Sequence, residues 1–210
     1  MFFRRRNEEH YLPDKLNVPG PNHETVDLVR SSGARCVAEI GIYEGGTSAG
    51  MAEVLSERDG ELHLFDFQDR VDEVAARLRR TTSCAVVTHG NSRKIMDSYN
   101  WSLALLLERE DRPTFDYVFI DGSHLWHHDA LAFVLADRML AVGGIMDFDD
   151  YTWSIAKSQT MNPTVMPATT RMHTDEQIER EQVKMVVELL VRADPRYEEI
   201  VPSKAFRKVA

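Results

Sequence analysis

Cysteine, runs of basic charge and long apolar stretches are all scarce in this sequence of 210 residues. Two cysteines, Cys36 and Cys84, supply neither a disulfide framework nor a metal knuckle. Both sit beside apolar runs and read as reduced, buried residues of an intracellular protein. Positive charge is in the minority, 25 Lys+Arg against 34 Asp+Glu, for a formal net charge of −9. Such a balance argues against a protein that grips nucleic acid phosphates or an anionic membrane, since both tasks need dense Lys and Arg. The one basic cluster, Arg4-Arg5-Arg6, reads as a solvated tail. No apolar stretch is long enough to span a bilayer, and Phe2-Phe3 is too short for the core of a signal peptide. The expected compartment is the cytoplasm.

What is present is an ordinary globular composition, 43% apolar and 28% charged, without repeats or low-complexity tracts. The segment to about Gly20, with Pro13 and Pro19, reads as an irregular arm or lid, and residues 21–210 as one domain. Apolar strand-like runs follow at 36–40, 62–67, 85–89, 117–120 and 145–148. Helical patterns alternate with them at 48–57, 71–80, 92–108 and 124–140. Largely apolar strands in strict alternation with helices predict an α/β fold with a doubly wound, mostly parallel sheet. Beyond Tyr151 the pattern weakens. Residues 158–170, with Pro163 and Pro167, read as a mobile surface loop, 175–191 as a helix, and short strands near Ile200 and Phe206 as an antiparallel edge.

The first strand runs into Glu39-Ile40-Gly41-Ile42-Tyr43-Glu44-Gly45-Gly46-Thr47-Ser48. Glycines in such a turn let the backbone approach a ligand lying over the strand ends. The spacing is neither the dinucleotide fingerprint G-x-G-x-x-G nor the triphosphate-binding G-x-x-x-x-G-K-[ST], which disfavours a reductase and a nucleotide triphosphatase. An acidic residue, a three-residue gap between glycines and small hydroxyl residues suit a ligand with positive charge and no phosphates. The segment resembles motif I of class I S-adenosylmethionine-dependent methyltransferases. That resemblance implies their Rossmann-like fold and places Glu39, Gly41, Tyr43, Gly45, Thr47 and Ser48 on the methionine side of the cofactor. Asp66, at the second strand end, is positioned by the same resemblance to accept from both ribose hydroxyls, and Asn91 and Ser92, at the third, to line the adenine side. Each of these residues is also what a helix cap or loop opening supplies.

Asp121-Gly122-Ser123-His124 ends the fourth strand, and Gly143-Gly144-Ile145-Met146-Asp147-Phe148-Asp149-Asp150-Tyr151 contains the fifth. Neighbouring strand ends would let Asp121, Asp149 and Asp150 converge, and three carboxylates in one site repel unless a cation or protons intervene. Hard oxygen ligands favour Mg²⁺, Ca²⁺ or Mn²⁺, and no Cys/His constellation argues for zinc. This half of the chain resembles the small bacterial O-methyltransferases of sugars and natural products, the macrocin O-methyltransferase type. The likeness covers 37–153 and implies a divalent ion on Asp121, Asp149 and Asp150 that binds adjacent substrate oxygens. Asp121 would also border the cofactor, and His124 stands where relatives keep a basic residue near the acceptor, as a candidate general base. His127 and His128 read as surface residues, Trp126 as a pocket wall or core residue, and Asp147 as an anomaly in a buried strand.

The expected activity is methyl transfer from S-adenosylmethionine to a hydroxyl of a small molecule, with Met1–Gly20 and 158–173 as candidates to close over the substrate. No nucleic acid or membrane partner is expected, and the expected assembly is a homo-oligomer, a dimer or larger. The Asn-Pro-Pro-aromatic turn of amino-directed DNA methyltransferases is absent after the fourth strand. A noncatalytic S-adenosylmethionine-binding regulatory protein and a metal-independent methyltransferase remain the alternatives.

Overall fold

The computed structural model describes residues 20–210. The expected arm, Arg4–Arg6 included, lies outside the described residues apart from Gly20. Two compact units are distinguished: the larger holds 20–153 and Glu181–Ala210, and the smaller includes Ser154–Arg180.

In the larger unit, β1 (Cys36–Ile40), β2 (Glu61–Phe67), β3 (Ala85–Asn91), β4 (Phe115–Ile120) and β5 (Leu140–Phe148) are joined by parallel pairing. With β6 (Tyr197–Val201) and β7 (Ala205–Lys208) they form one sheet in the order β3-β2-β1-β4-β5-β7-β6. β7 runs antiparallel to both β5 and β6, the edge expected from the C-terminal strands. Helices α1 (His23–Ser32), α2 (Gly46–Ser56) and α3 (Gln68–Thr81) cover one face over a core containing Val29, Met51, Leu64, Leu78 and Tyr117. Helices α4 (Tyr99–Glu108), α5 (Trp126–Asp137) and α8 (Gln182–Val186) cover the other, around Phe65, Leu103, Phe133, Phe148 and Phe206. Burial on both faces explains why the central strands are apolar runs rather than alternating patterns. The order reverses direction between β1 and β4, so a crevice opens at their carboxyl ends, where ligands bind in open α/β sheets.

One helix is added to the expected set and three others are corrected. α1 was not anticipated: Asn22 caps it by accepting from the Thr25 N–H, and Gly33 ends it in the left-handed conformation at φ 75°. The helix expected from Ser92 begins instead at Tyr99, capped by Ser98, because Ser92 donates both its N–H and its hydroxyl to Asp97 in a turn. The helix expected from His124 begins at Trp126, since His124 is left-handed at φ 57° and Leu125 is extended. The helix expected over 175–191 is interrupted where Arg180 and Glu181 leave helical backbone, at the boundary between the two units. α8 then continues as a π-turn over Val187–Val191.

In the smaller unit, 155–174 is not featureless. It holds a 3₁₀ turn at Ile155–Lys157 and a short α6 (Thr169–Met172), and α7 (Asp175–Glu179) follows behind a capping box of Thr174 and Gln177. Among the described residues no helix is long and apolar enough to cross a membrane.

Both cysteines are free, but only Cys84 is buried. Cys36 is half-buried beside Glu61 and His63, a grouping that the linear sequence concealed. Burial, with Glu61 and Asp116 nearby, pushes the Cys36 thiol up to about 12.

Candidate active site

The glycine turn after β1 is built around one side chain. Asp66, at the end of β2, accepts from the main-chain N–H groups of Ile42 (2.9 Å), Tyr43 (3.2 Å) and Phe67 (2.6 Å). A carboxylate has roughly four acceptor positions, so two are already used by the turn that Asp66 shapes and a third by the residue that follows it. Gly41, at φ 86°, brings the chain so near β4 that an added Cβ would lie 2.1 Å from the Asp121 carbonyl oxygen. Gly45, at φ 72°, opens α2 where a Cβ would strike Val74 at 2.5 Å. Both glycines are therefore required by close approach as well as by backbone conformation. Tyr43 is also left-handed, at φ 45°, and the Arg70 guanidinium lies 5.1 Å from its ring centroid. Thr47 accepts from the Asn22 N–H at 3.0 Å. Asn91 is buried, whereas Ser92 is exposed and engaged with Asp97.

Glu39 is 1% exposed, and Ser48 donates to its carboxylate at 2.5 Å. Burial, reinforced by Asp66, outweighs that hydrogen bond and pushes the Glu39 carboxyl up to about 8. Between about pH 4.5 and 8 the folded chain thus holds a proton here that the unfolded chain has released. Stability at this position falls as pH rises through that window. Glu39→Gln is expected to flatten the dependence: the variant should gain in denaturation midpoint over the parent at pH 8 and show little gain at pH 4. Equal gains at both pH values would count against a neutral Glu39.

At the ends of β4 and β5 the expected acidic group comes together around an imidazole. Asp149 contacts the Asp121 carboxylate and accepts from Asn22 Nδ2 at 2.9 Å. His124 Nε2 lies 3.7 Å from Asp121 Oδ1 and 3.5 Å from Asp150 Oδ2. Its Nδ1 is buried and has no hydrogen-bond partner among the described residues. The Trp153 ring stands 5.3 Å from the His124 ring. Burial and the neighbouring carboxylates of Asp149, Glu39 and Asp150 hold the Asp121 carboxyl well above the usual range. Burial also raises Asp150, partly offset by His124 and Lys204. The crevice is thus short of positive charge. The three aspartates do not, however, bring one oxygen each within 4.8 Å of one another, a condition met among the described residues by Cys36, Glu61 and His63 alone.

Sequence reasoning missed several supporting residues. Asp147 is fully buried and held by Lys204 Nζ (2.9 Å), the Tyr117 hydroxyl (2.6 Å) and the Thr25 hydroxyl (2.7 Å), which explains its presence inside β5. The cap residue Asn22 reaches Asp149, a contact that its capping signature did not reveal. His128 is not a simple surface residue: its Nδ1 is 2.8 Å from the Ser123 hydroxyl, within a group completed by Tyr99 and buried Asp129. His127 is exposed as expected, and Trp126 packs against the core beneath α5.

A family profile described as a methyltransferase domain matches residues 38–151. No curated protein matches the chain. Among solved structures, the O-methyltransferase TomG from Streptomyces achromogenes superposes with a TM-score of 0.58 at 21% identity, over 88% of this chain and 78% of that one. An O-methyltransferase from Bacillus cereus gives 0.59 at 19% identity, over 87% and 78%. The N-methyltransferase NodS from Bradyrhizobium japonicum gives 0.52 at 12% identity, over 90% and 94%. Oxygen- and nitrogen-directed enzymes share this fold, so the likeness speaks for architecture and not for the acceptor atom. With the profile spanning more than half of the sequence, from within β1 to the residue after the acidic pair, the chain belongs to the methyltransferase domain family.

Proposed function

We propose that the protein is an S-adenosylmethionine-dependent O-methyltransferase of a small hydroxylated molecule, assisted by a hard divalent cation. The observation that carries the reading is the crevice at the ends of β1, β4 and β5. There Glu39, Asp121, Asp149 and Asp150 gather with too little cationic compensation nearby. Carboxylates that crowd one another, with Glu39, Asp121 and Asp150 held above the usual range, are a fit for cationic ligands. Their all-oxygen chemistry suits Mg²⁺ or a similar ion better than zinc. When bound, S-adenosylmethionine supplies a methyl group on a sulfonium, and a divalent ion supplies charge that makes a hydroxyl easier to deprotonate.

Glu39, Gly41, Tyr43, Gly45, Thr47, Ser48, Asp66, Asn91, Ser92 and Asp121 are the residues assigned to the cofactor. Asp121, Asp149 and Asp150 are assigned to the ion. The glycine turn brings main chain, free of side-chain bulk, to the methionine side. His124 Nε2, the nitrogen that faces the carboxylates, accepts the acceptor proton. Once Nε2 carries that proton, the carboxylates of Asp121 and Asp150 beside it stabilise the imidazolium.

Calorimetry with S-adenosylhomocysteine tests the cofactor. Asp66→Ala is expected to weaken binding by about 1.5–3 kcal/mol, the range for hydrogen bonds to charged groups. NAD binding with no response to S-adenosylhomocysteine would end the methyltransferase reading. The metal has its own test, turnover on a panel of vicinal diols with and without chelator. Loss of turnover in excess chelator and in Asp149→Asn is expected. Full turnover in either leaves methyl transfer standing and removes the ion.

A further inference from the structure

We infer that Cys36, Glu61 and His63 form a second metal site, suited to zinc, at the amino-terminal edge of the sheet. Cys36 and Glu61 are register partners where β1 and β2 begin. His63 lies two residues further along β2, so all three side chains project from the same face of the sheet. Cys36 Sγ is 3.9 Å from Glu61 Oε1, and His63 Nε2 contacts the same oxygen. One ligand atom from each residue lies within 4.8 Å of the others. Ligand atoms around tetrahedral zinc stand roughly 3.3–3.8 Å apart, given bonds of about 2.0–2.3 Å, so small side-chain rotations close the set.

The surroundings are those of a built ligand shell. His63 Nδ1 is 2.8 Å from His89 Nε2, leaving Nε2 as the nitrogen directed at Cys36 and Glu61. The His63 ring is stacked on His89 and meets the edge of Phe115, each at 5.1 Å. His89 is in turn stacked on Phe65 at 4.3 Å. A partner on the second ring nitrogen, with the ring clamped by packing, is how proteins orient metal-binding histidines. Among the described residues no Lys or Arg pairs with Glu61, whose side chain is 43% exposed and gives an ion a path from solvent. A thiolate and a carboxylate balance the charge of a divalent ion. Binding breaks the S–H bond and hands its proton to the buffer. Thiolate, imidazole and carboxylate together match zinc, unlike the all-oxygen group at the other end of the strands. The two ends of β1, Cys36 and Ile40, are four residue steps apart, roughly 13 Å at the rise of a parallel strand. The site therefore clips β1 to β2 and leaves the fourth coordination position to water, independently of the proposed methyl transfer.

Metal-stripped protein titrated with Co²⁺ and Zn²⁺ tests this. One equivalent of Co²⁺ should produce a near-ultraviolet thiolate-to-metal band with tetrahedral visible bands, all displaced by Zn²⁺. Cys36→Ser should abolish the near-ultraviolet band, and His63→Gln should weaken Zn²⁺ binding at least 10-fold. His89→Phe keeps the ring packing but removes the outer hydrogen bond, and should cost about 10–100-fold. Asp149→Asn should leave these readings unchanged. A band that survives Cys36→Ser, a titration with no thiolate band, or Zn²⁺ affinity lost in Asp149→Asn and kept in Cys36→Ser would each overturn the site. Should His63→Gln fail to fold, Cys36→Ser at a half-buried position still decides.

Discussion

Alanine in place of His124 is expected to cut turnover by about 10²–10⁴-fold, the usual contribution of a positioned general base, with S-adenosylhomocysteine affinity nearly unchanged. The imidazole stands between Asp121 and Asp150 through Nε2, and its other nitrogen is enclosed. Removing it therefore takes away proton acceptance at the crevice without touching the glycine turn. Two controls separate chemistry from folding. His124 occupies left-handed backbone at φ 57°, a conformation that asparagine adopts more readily than alanine. His124→Asn should therefore be at least as stable as His124→Ala yet equally slow. The rival view is that deprotonation needs no side-chain base and His124 only packs against Trp153. In that case the acidic limb of the pH–rate profile persists in His124→Ala, and His124 is not the base.

A second large effect is expected at the buried ion pair beneath the acidic group. Lys204→Met should destabilise the fold by about 3–5 kcal/mol, the cost of leaving one partner of a buried ion pair alone. Asp147 is 0% exposed, and Lys204 Nζ at 2.9 Å is the cation facing it. Burial already raises the Asp147 carboxyl, with Lys204, Tyr117 and Thr25 working against that rise. Without Lys204 the folded chain should take up a proton at Asp147 that the unfolded chain does not hold at neutral pH. Stability of the variant then falls as pH rises above the ordinary carboxylate range, and the deficit shrinks toward pH 4. Urea denaturation of Lys204→Met, Asp147→Asn and the double variant at pH 4 and 7 measures this. A double variant that loses less than the sum of the two singles is expected, because each single leaves a group unpartnered. Strict additivity, or a deficit independent of pH, would contradict the pairing.

The order of strands and helices was legible because it depends on local pattern. A strand buried on both faces must be an apolar run, and the five parallel strands are found where those runs lie. The turn after β1 was legible for a similar reason: glycine is demanded wherever backbone meets backbone, as at Gly41 against Asp121. Carboxylates at or just past the ends of apolar runs, Asp66, Asp121 and Asp149, advertise strand ends, and strand ends at the reversal of a doubly wound sheet face one crevice. Tertiary structure decided what stands around them. The Lys204–Asp147 pair and the Asn22–Asp149 hydrogen bond join the β6–β7 turn and the start of α1 to β5 and its end. Cys36, Glu61 and His63 meet only because β1 and β2 pair in a particular register. The late start of the helix at Tyr99 and the left-handed turn at His124 likewise come from side-chain and packing contacts that outweigh local helix preference. Periodicity reports which face of an element is buried. Which distant residue comes to meet that face is settled by register and crossover, and neither leaves a mark in neighbouring residues.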